Sequence, residues 1–156
     1  EGIEKTLTIT RNLLKQGVDV QKNFADVPEI YCSPSRLNQV FINIITNAVQ
    51  AMDGRGVLKI STSYNQTSQG DSVEIVFEDT GCGIPEEYLT KIMDPFFTTK
   101  PVGEGTGLGL SIVRQIVEQH EGQIFVDSKE NVGTRIVLSF PVRGPQQKPA
   151  DAEEAA

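Results

Sequence analysis

Residues 33–52 read SPSRLNQVFINIITNAVQAM and predict a long amphipathic helix. Ser33 suits the position that caps a helix, and Pro34 suits its first turn. The apolar side chains recur at spacings of three and one, so they form one stripe along the helix. That stripe comprises Leu37, Val40, Phe41, Ile44, Ile45, Ala48, Val49 and Met52. A helix with one long apolar stripe needs a second layer to cover it, and the segments around it supply one.

Strand patterns flank this helix on both sides. Val73, Ile75 and Phe77 alternate with polar residues, so they would share one face of a strand. Strands are predicted at residues 18–21, 57–64, 72–78, 123–127 and 134–141, and the last two form a hairpin around Asn131-Val132-Gly133. Further helices are predicted at residues 1–16, 86–93 and 108–121, with a loop at 94–106.

This order of elements predicts an α/β (α+β) fold with two layers. We expect a mixed, mostly antiparallel five-stranded sheet with about three helices on one face. Residues 1–142 are predicted to form one domain, and the polar residues 143–156 a C-terminal tail or linker.

Composition narrows the range of functions. The chain has 156 residues and a net charge of −7, which argues against a broad nucleic-acid-binding surface. Cys32 and Cys82 are too few for a disulfide framework and suit a reducing compartment. No apolar run approaches the roughly 20 residues that a membrane span needs. We therefore expect a cytoplasmic domain that contacts neither nucleic acid nor membrane.

Two asparagines lie in the middle of the long helix, beside its apolar stripe. Asn43 and Asn47 are four residues apart, so they project from the same side of the helix, on the flank of the apolar stripe. Asparagine is a poor helix former, so two in mid-helix call for a reason. Their amide oxygens could hold a metal–phosphate group, because Mg²⁺ prefers oxygen ligands. The alternative is that both are solvated residues at the edge of the buried face.

Asp79 ends a predicted strand and is followed by Thr80-Gly81-Cys82-Gly83. Glycines in this place let the backbone approach a ligand closely, and a carboxylate can accept a hydrogen bond from an exocyclic amine. The alternative is an ordinary turn between a strand and a helix, with Asp79 as a cap.

Six of the fourteen glycines fall within the 29 residues from Gly81 to Gly109. Four of them belong to Gly103-Glu104-Gly105-Thr106-Gly107-Leu108-Gly109, which runs directly into a helical pattern. Free backbone N–H groups at the start of that helix favour a loop that covers phosphate. The segment lacks the Gly-Lys-Ser/Thr of a P-loop and the third glycine of a dinucleotide loop. A flexible linker is the alternative.

Taken together, four motifs resemble those of one family, the ATP-binding catalytic domain of two-component sensor histidine kinases. The family belongs to a wider group that includes DNA gyrase, heat-shock chaperone ATPases and MutL proteins. The resemblance covers residues 1–142 and rests on the asparagine box Asn43-Ile44-Ile45-Thr46-Asn47-Ala48, the glycine boxes Asp79-Thr80-Gly81-Cys82-Gly83-Ile84 and Gly105-Thr106-Gly107-Leu108-Gly109-Leu110, and the phenylalanine box Asp94-Pro95-Phe96-Phe97-Thr98-Thr99-Lys100. It implies a Bergerat fold with a long ATP lid.

The resemblance also implies roles for individual residues. Asp79 would accept a hydrogen bond from the adenine amino group, with Thr134 supporting a bridging water. Asn47 and Asn43 would hold Mg²⁺ against the triphosphate of ATP, and Lys100 could neutralise the phosphates, so these three are the candidate catalytic residues. The remaining nucleotide-binding candidates are Gly81, Gly83, Ile84, Phe97, Thr99, Gly105, Thr106, Gly107, Leu108, Gly109 and Leu110. Phe96 and Phe97 would anchor the lid.

The resemblance also bears on the reaction. Hydrolysing relatives carry a glutamate at the position of Asn43, and an amide cannot act as their base. The implied activity is therefore transfer of the γ-phosphoryl group of ATP to a histidine on a dimerisation domain, with ADP as product, and onward to a response-regulator receiver domain. His120 is the single histidine, and its place near a helix end suggests a structural role as a cation stabilised by the helix dipole. The isolated domain is expected to be monomeric.

Two alternatives remain within the same fold. The first is an ATPase of the gyrase, heat-shock-chaperone or MutL kind, against which Asn43 speaks. The second is a nucleotide-binding module such as a degenerate kinase or a partner-switching serine kinase. The complete motifs and the Asp94–Lys100 segment favour the sensor kinases.

Overall fold

Two layers, a sheet and a set of helices, make up the described part of the chain. The computed structural model describes residues 2–15, 17–30, 32–94 and 109–142. The elements are α1 (Gly2–Ile9), α2 (Arg11–Leu14), β1 (Val18–Phe24), α3 (Pro34–Ala51), β2 (Gly56–Thr67), β3 (Gly70–Asp79), a 3-10 turn (Glu86–Tyr88), α4 (Gly109–Gln119), β4 (Gln123–Lys129) and β5 (Gly133–Pro141).

The five strands form one mixed sheet in the order β1-β2-β3-β5-β4. β1 runs parallel to β2, and every other neighbouring pair is antiparallel. Asp79 of β3 pairs with Thr134 of β5, and Thr134 pairs with Ser128 of β4. The expected mixed, mostly antiparallel five-stranded sheet is confirmed, and three polar side chains lie in one cross-strand row.

The core lies between the helices and one face of the sheet. Alternate strand residues are buried on that face, as period-two patterning requires: Leu58, Ile60, Ile75, Phe77, Ile136 and Leu138. The stripe of α3 packs onto them, with the rings of Phe41 and Phe77 6.0 Å apart. Val113, Ile116 and Val117 of α4 complete the cluster. The predicted two-layer arrangement is therefore confirmed.

Two predicted helices differ from the structure. The segment 1–16 forms two short helices, because the chain leaves helical geometry at Thr10 (φ −88°, ψ 8°). The Thr10 hydroxyl donates to the carbonyl of Thr6 at 2.8 Å, a contact that bends helices. The segment 86–93 holds only the 3-10 turn, because Ile92 is its single buried hydrophobic residue and offers too little apolar surface to hold a helix.

The predicted strand boundaries were too narrow. β2 and β3 extend to Thr67 and Gly70, three and two residues beyond the predicted limits at 64 and 72. Polar residues occupy these extensions, and backbone pairing carries the ladder where apolar alternation has stopped. β1 likewise continues to Phe24.

Ser33 occupies the residue before α3, as predicted, but its side chain makes no capping hydrogen bond. Its hydroxyl instead lies 3.3 Å from that of Ser35. Among the described helices, none is both long enough and apolar enough to cross a membrane.

Candidate functional site

One side of α3 carries residues at intervals of four, namely Asn43, Asn47 and Ala51. The side-chain amide of Asn43 donates to the carbonyl oxygen of Gly109 at 3.4 Å. A Cβ placed on Gly109 would lie 3.4 Å from Nδ2 of Asn47. Both asparagines are half-buried against the start of α4. The two amides therefore face the helix that follows the glycine-rich segment, rather than open solvent.

The loop after β3 lies against the other end of the same side of α3. The N–H of Cys82 donates to the carbonyl oxygen of Ala51 at 2.9 Å. A Cβ on Gly81 would lie 2.7 Å from the carbonyl carbon of Ala51, so only glycine permits this approach. Eight residues separate Asn43 from Ala51, which is about 12 Å along a helix. α3 thus spaces the loop and the asparagines at opposite ends of one elongated site.

Asp79 stands at the loop end of this site. Its Oδ1 accepts a hydrogen bond from the N–H of Gly81 at 2.8 Å. The backbone N–H of Thr134, on the neighbouring strand, also lowers the pKa of the carboxyl. Burial raises the pKa of Asp79 above its usual value, and the two backbone N–H groups offset part of that rise. The result is a fixed, half-buried carboxylate that can accept a further hydrogen bond from a ligand.

The hairpin between β4 and β5 packs closely against this loop at two glycines. Gly83 has a φ of +71°, and a Cβ there would collide with the carbonyl oxygen of Lys129. Gly133 has a φ of +149°, and a Cβ there would collide with the carbonyl oxygen of Asp79. Both glycines are therefore required by close backbone packing that brings Thr134 beside Asp79.

Ser128 is a site residue that the sequence did not reveal. Its Oγ accepts from the N–H of Ile84 at 2.8 Å, donates to the carbonyl oxygen of Gly133 at 3.0 Å and lies 2.8 Å from Oγ1 of Thr134. The hairpin is centred on Asn131, which places Ser128 opposite Thr134. The predicted turn over residues 131–133 is centred one residue later and would place Ser128 opposite Ile136, so the sequence pattern gave no signal for this pair. An open cleft of about 220 Å³ lies here, and Asp79, Ser128 and Thr134 are among its lining residues.

The structure thus groups two sets of predicted residues. Asn43, Asn47 and Gly109 meet at one end of the site. Asp79, Gly81, Gly83, Ile84 and Thr134 meet at the other end. Leu110 lies in the first turn of α4 with its side chain packed on the core. The remaining predicted residues, Phe96, Phe97, Thr99, Lys100, Gly105, Thr106, Gly107 and Leu108, lie outside the described residues.

His120 plays a structural role, but for a different reason from the predicted one. Its Nε2 accepts a hydrogen bond from the N–H of Ser33 at 3.0 Å. Its Nδ1 lies 2.7 Å from the carbonyl oxygen of Ile116, to which it must donate. A ring that accepts at one nitrogen and donates at the other is neutral, so stabilisation of a cation by the helix dipole is wrong. The buried ring instead ties the end of α4 to the start of α3.

Comparison with protein families gives one match over most of the chain. Residues 32–144 match the family described as histidine kinase-, DNA gyrase B- and HSP90-like ATPase. Sporulation kinase E of Bacillus subtilis is 43% identical over 119 residues, which is 76% of this chain and 15% of that protein. The sensor histidine kinase ZraS of Escherichia coli O157:H7 is 44% identical over 123 residues, 79% of this chain and 26% of that protein. The chain therefore spans about a quarter or less of these relatives.

Solved structures give the same result for the fold. The catalytic domain of the histidine kinase ThkA, in a nucleotide-free form, superposes with a TM-score of 0.76 at 32% identity. That match covers 90% of both chains. The mycobacterial sensor histidine kinase MprB superposes with a TM-score of 0.73 at 26% identity, covering 91% of this chain and 93% of that one. The described geometry is thus that of a histidine kinase catalytic domain.

Proposed function

The chain belongs to the family of histidine kinase-, DNA gyrase B- and HSP90-like ATPases, as a catalytic domain of the histidine kinase type, and we propose that it binds Mg-ATP and donates the γ-phosphoryl group to a histidine on a separate dimerisation domain. The observation that carries this proposal is the placement of Asp79 and of the Asn43–Asn47 pair at opposite ends of one side of α3. An elongated ligand with a base at one end and phosphates at the other fits that spacing.

Asp79 is the residue that recognises the base. Its carboxylate accepts a hydrogen bond from the N–H of Gly81 and keeps acceptor capacity for a further donor, the exocyclic amino group of adenine. The loop residues Gly81, Gly83 and Ile84 form the neighbouring wall. Partial burial strengthens the hydrogen bond to the amino group, because less water competes for it.

Asn43 and Asn47 are the residues that would hold Mg²⁺. Their donor chemistry fits, since amide oxygens are hard ligands, and the absence of a side chain at Gly109 leaves space beside the Asn47 amide. When bound, the ion would neutralise phosphate charge. Asn47 and Asn43 orient the phosphate end, and the N-terminus of α4 favours an anion there.

The chain's own residues leave the nucleophile to another domain. Asn43 carries an amide that donates to Gly109 and cannot take a proton from water. Both ring nitrogens of His120 are engaged in the fold. Phosphoryl transfer needs mainly positioning and charge neutralisation, which this site can supply to an incoming histidine. Within the described residues, nothing favours the ATPase or serine kinase alternatives.

The remaining assignments complete the proposal. The family resemblance assigns Phe96 and Phe97 to anchoring an ATP lid. It assigns Thr99, Lys100, Gly105, Thr106, Gly107 and Leu108 to the lid itself, with Gly109 and Leu110 beside them as further nucleotide-binding residues. The partners are the protein's own dimerisation domain and a response-regulator receiver domain, and the setting is cytoplasmic. The domain by itself is monomeric.

A phosphate-release assay separates this proposal from the ATPase alternatives. The isolated chain with Mg-ATP should bind nucleotide yet release phosphate only at a slow background rate. The reason is that Asn43 cannot act as the general base that activates water. The matched variant Asn43→Glu introduces the carboxylate that hydrolysing relatives carry at this position. Fast release by the unaltered chain would contradict the kinase proposal.

A further inference from the structure

Ser128 is surrounded by three hydrogen-bonding groups that use its hydroxyl completely. A serine hydroxyl has one proton to donate and two lone pairs that accept. The N–H of Ile84 can only donate, so it takes one lone pair at 2.8 Å. The carbonyl oxygen of Gly133 can only accept, so at 3.0 Å it takes the single proton of Ser128. The one assignment in which all three contacts are hydrogen bonds has Oγ1 of Thr134 donating to the remaining lone pair.

The three contacts of Ser128 determine the direction of the Thr134 hydroxyl. Its only proton points at Ser128, 2.8 Å away, so Thr134 presents lone pairs alone to the rest of the site. Asp79 and Thr134 are paired across β3 and β5, so two acceptors stand side by side at the base end.

We propose that Ser128 is a positioning residue that makes Thr134 an obligatory acceptor, so that the site takes a 6-aminopurine nucleotide and rejects a 6-oxopurine nucleotide. This inference rests on the proposed function. The amino group of adenine donates, directly or through a water, to both acceptors. A 6-oxo group would bring a third acceptor against them, and a free Thr134 hydroxyl could relieve this conflict by rotating to donate. Because the Thr134 hydroxyl already donates its proton to Ser128, that proton is not available to a 6-oxo group.

The same hydroxyl joins two segments of the site. Ile84 belongs to the loop after β3, whereas Gly133 and Thr134 belong to β5. Ser128 in β4 bonds to both, so the orientation of Thr134 is set together with the position of the loop. A structural role alone would affect all nucleotides equally, whereas control of Thr134 affects the preference between them.

The test compares ATP with inosine triphosphate, which carries a carbonyl oxygen in place of the 6-amino group. In Ser128→Ala, the ratio of the dissociation constant for inosine triphosphate to that for ATP should fall by about tenfold, the scale of one hydrogen bond. Ser139→Ala is the matched control, because Ser139 is a β5 serine outside this network, and its ratio should stay unchanged. Thermal unfolding of each variant without nucleotide checks that the variant folds.

A double-mutant cycle keeps the inference testable if Ser128→Ala is too unstable. Thr134→Val removes the hydroxyl while keeping its shape and should lower the same ratio by itself. Adding Ser128→Ala to Thr134→Val should then change the ratio no further. An unchanged ratio in Ser128→Ala or in Thr134→Val, or equal loss of both nucleotides, would overturn the inference alone. Failure of the unaltered chain to bind ATP would overturn the proposed function as well.

Discussion

The backbone N–H of Cys82 donates to the carbonyl oxygen of Ala51 at 2.9 Å, joining the loop after β3 to the last turn of α3. Gly81 makes this bond possible, since its α-carbon faces the Ala51 backbone. Because Asn47 lies one helical turn before Ala51, the same contact sets the position of Asp79 relative to the asparagines. The Asp79 end and the asparagine end of the site are thus joined through the backbone of α3.

Gly81→Ala should disrupt this contact. The new methyl group would lie 2.7–2.8 Å from the carbonyl carbon, carbonyl oxygen and Cβ of Ala51, so the backbone must shift. We expect the free energy of unfolding to fall by about 1–3 kcal/mol, as for other overpacked sites, and nucleotide affinity to fall with it. Urea unfolding and calorimetry measure the two effects.

Gly109→Ala is the matched control for that substitution. Its Cβ would make an ordinary contact of 3.4 Å with Asn47, and alanine favours a helix. Its unfolding free energy should therefore stay the same or rise, while ATP binding weakens because the methyl group occupies space beside the Asn47 amide. Equal destabilisation in both variants would show that Gly81 has no special role.

Asp79→Asn should remove nucleotide recognition and leave the fold. The amide can present an N–H₂ group to the adenine amino group, so two donors would face each other. A hydrogen bond to a charged group contributes about 1.5–3 kcal/mol, so ATP affinity should fall by at least about tenfold. Calorimetry gives the dissociation constant and circular dichroism the fold. An unchanged dissociation constant would refute the adenine assignment.

Base recognition should weaken as the pH falls. Burial raises the pKa of Asp79 in the folded chain, so the carboxylate is protonated at a higher pH than an ordinary aspartate, whose value is 3.8. A raised pKa means that ionised Asp79 costs folding stability at neutral pH, and that this cost disappears as the pH falls through the folded-state value. Acid should therefore reduce binding without Asp79 contributing to acid unfolding.

Adenosine is the suitable ligand for this measurement, because it has no phosphate to titrate in the same range. Its affinity, followed by NMR between pH 7.5 and pH 4, should decline toward acid while the nucleotide-free chain stays folded. An affinity that is independent of pH over this range would contradict a role for the ionised carboxylate.

Asn47→Ala should affect metal-dependent binding selectively. The amide lies at the start of α4, away from Asp79, so it can act on the phosphate end alone. ATP binding in the presence of Mg²⁺ should weaken far more than ADP binding without it. Asn38→Ala, an asparagine in the first turns of the same helix, is a matched control. An equal loss of affinity for both ligands in a calorimetric titration would exclude metal ligation by Asn47.

The sequence predicted the elements whose pattern is carried by many residues. α3 and the alternating strands bury apolar side chains at regular spacing, so their period was readable. The break at Thr10 and the short turn at Glu86–Tyr88 depend on single hydrogen bonds and on how little surface is buried, which periodicity does not report.

The same distinction holds for the site: residues in motifs were predicted, and residues that act through tertiary contacts were not. Motifs located Asp79, Asn43 and Asn47, because each stands where a strand, turn or helix pattern makes it unusual. Ser128 was missed because an isolated serine in a strand has no signature of its own; its role arises from cross-strand pairing with Thr134. The neutral state of His120 likewise depends on Ser33, 87 residues away in sequence.

The most direct test of the account is transfer of label from ATP carrying a radioactive γ-phosphate. The chain is mixed with Mg-ATP and a supplied dimerisation domain that carries an acceptor histidine, with Asp79→Asn as the negative control. We predict acid-labile label on the supplied domain, none on the chain alone, and none with the variant. Stable label on His120, or release of all the label as free phosphate while the acceptor stays unlabelled, would contradict the account.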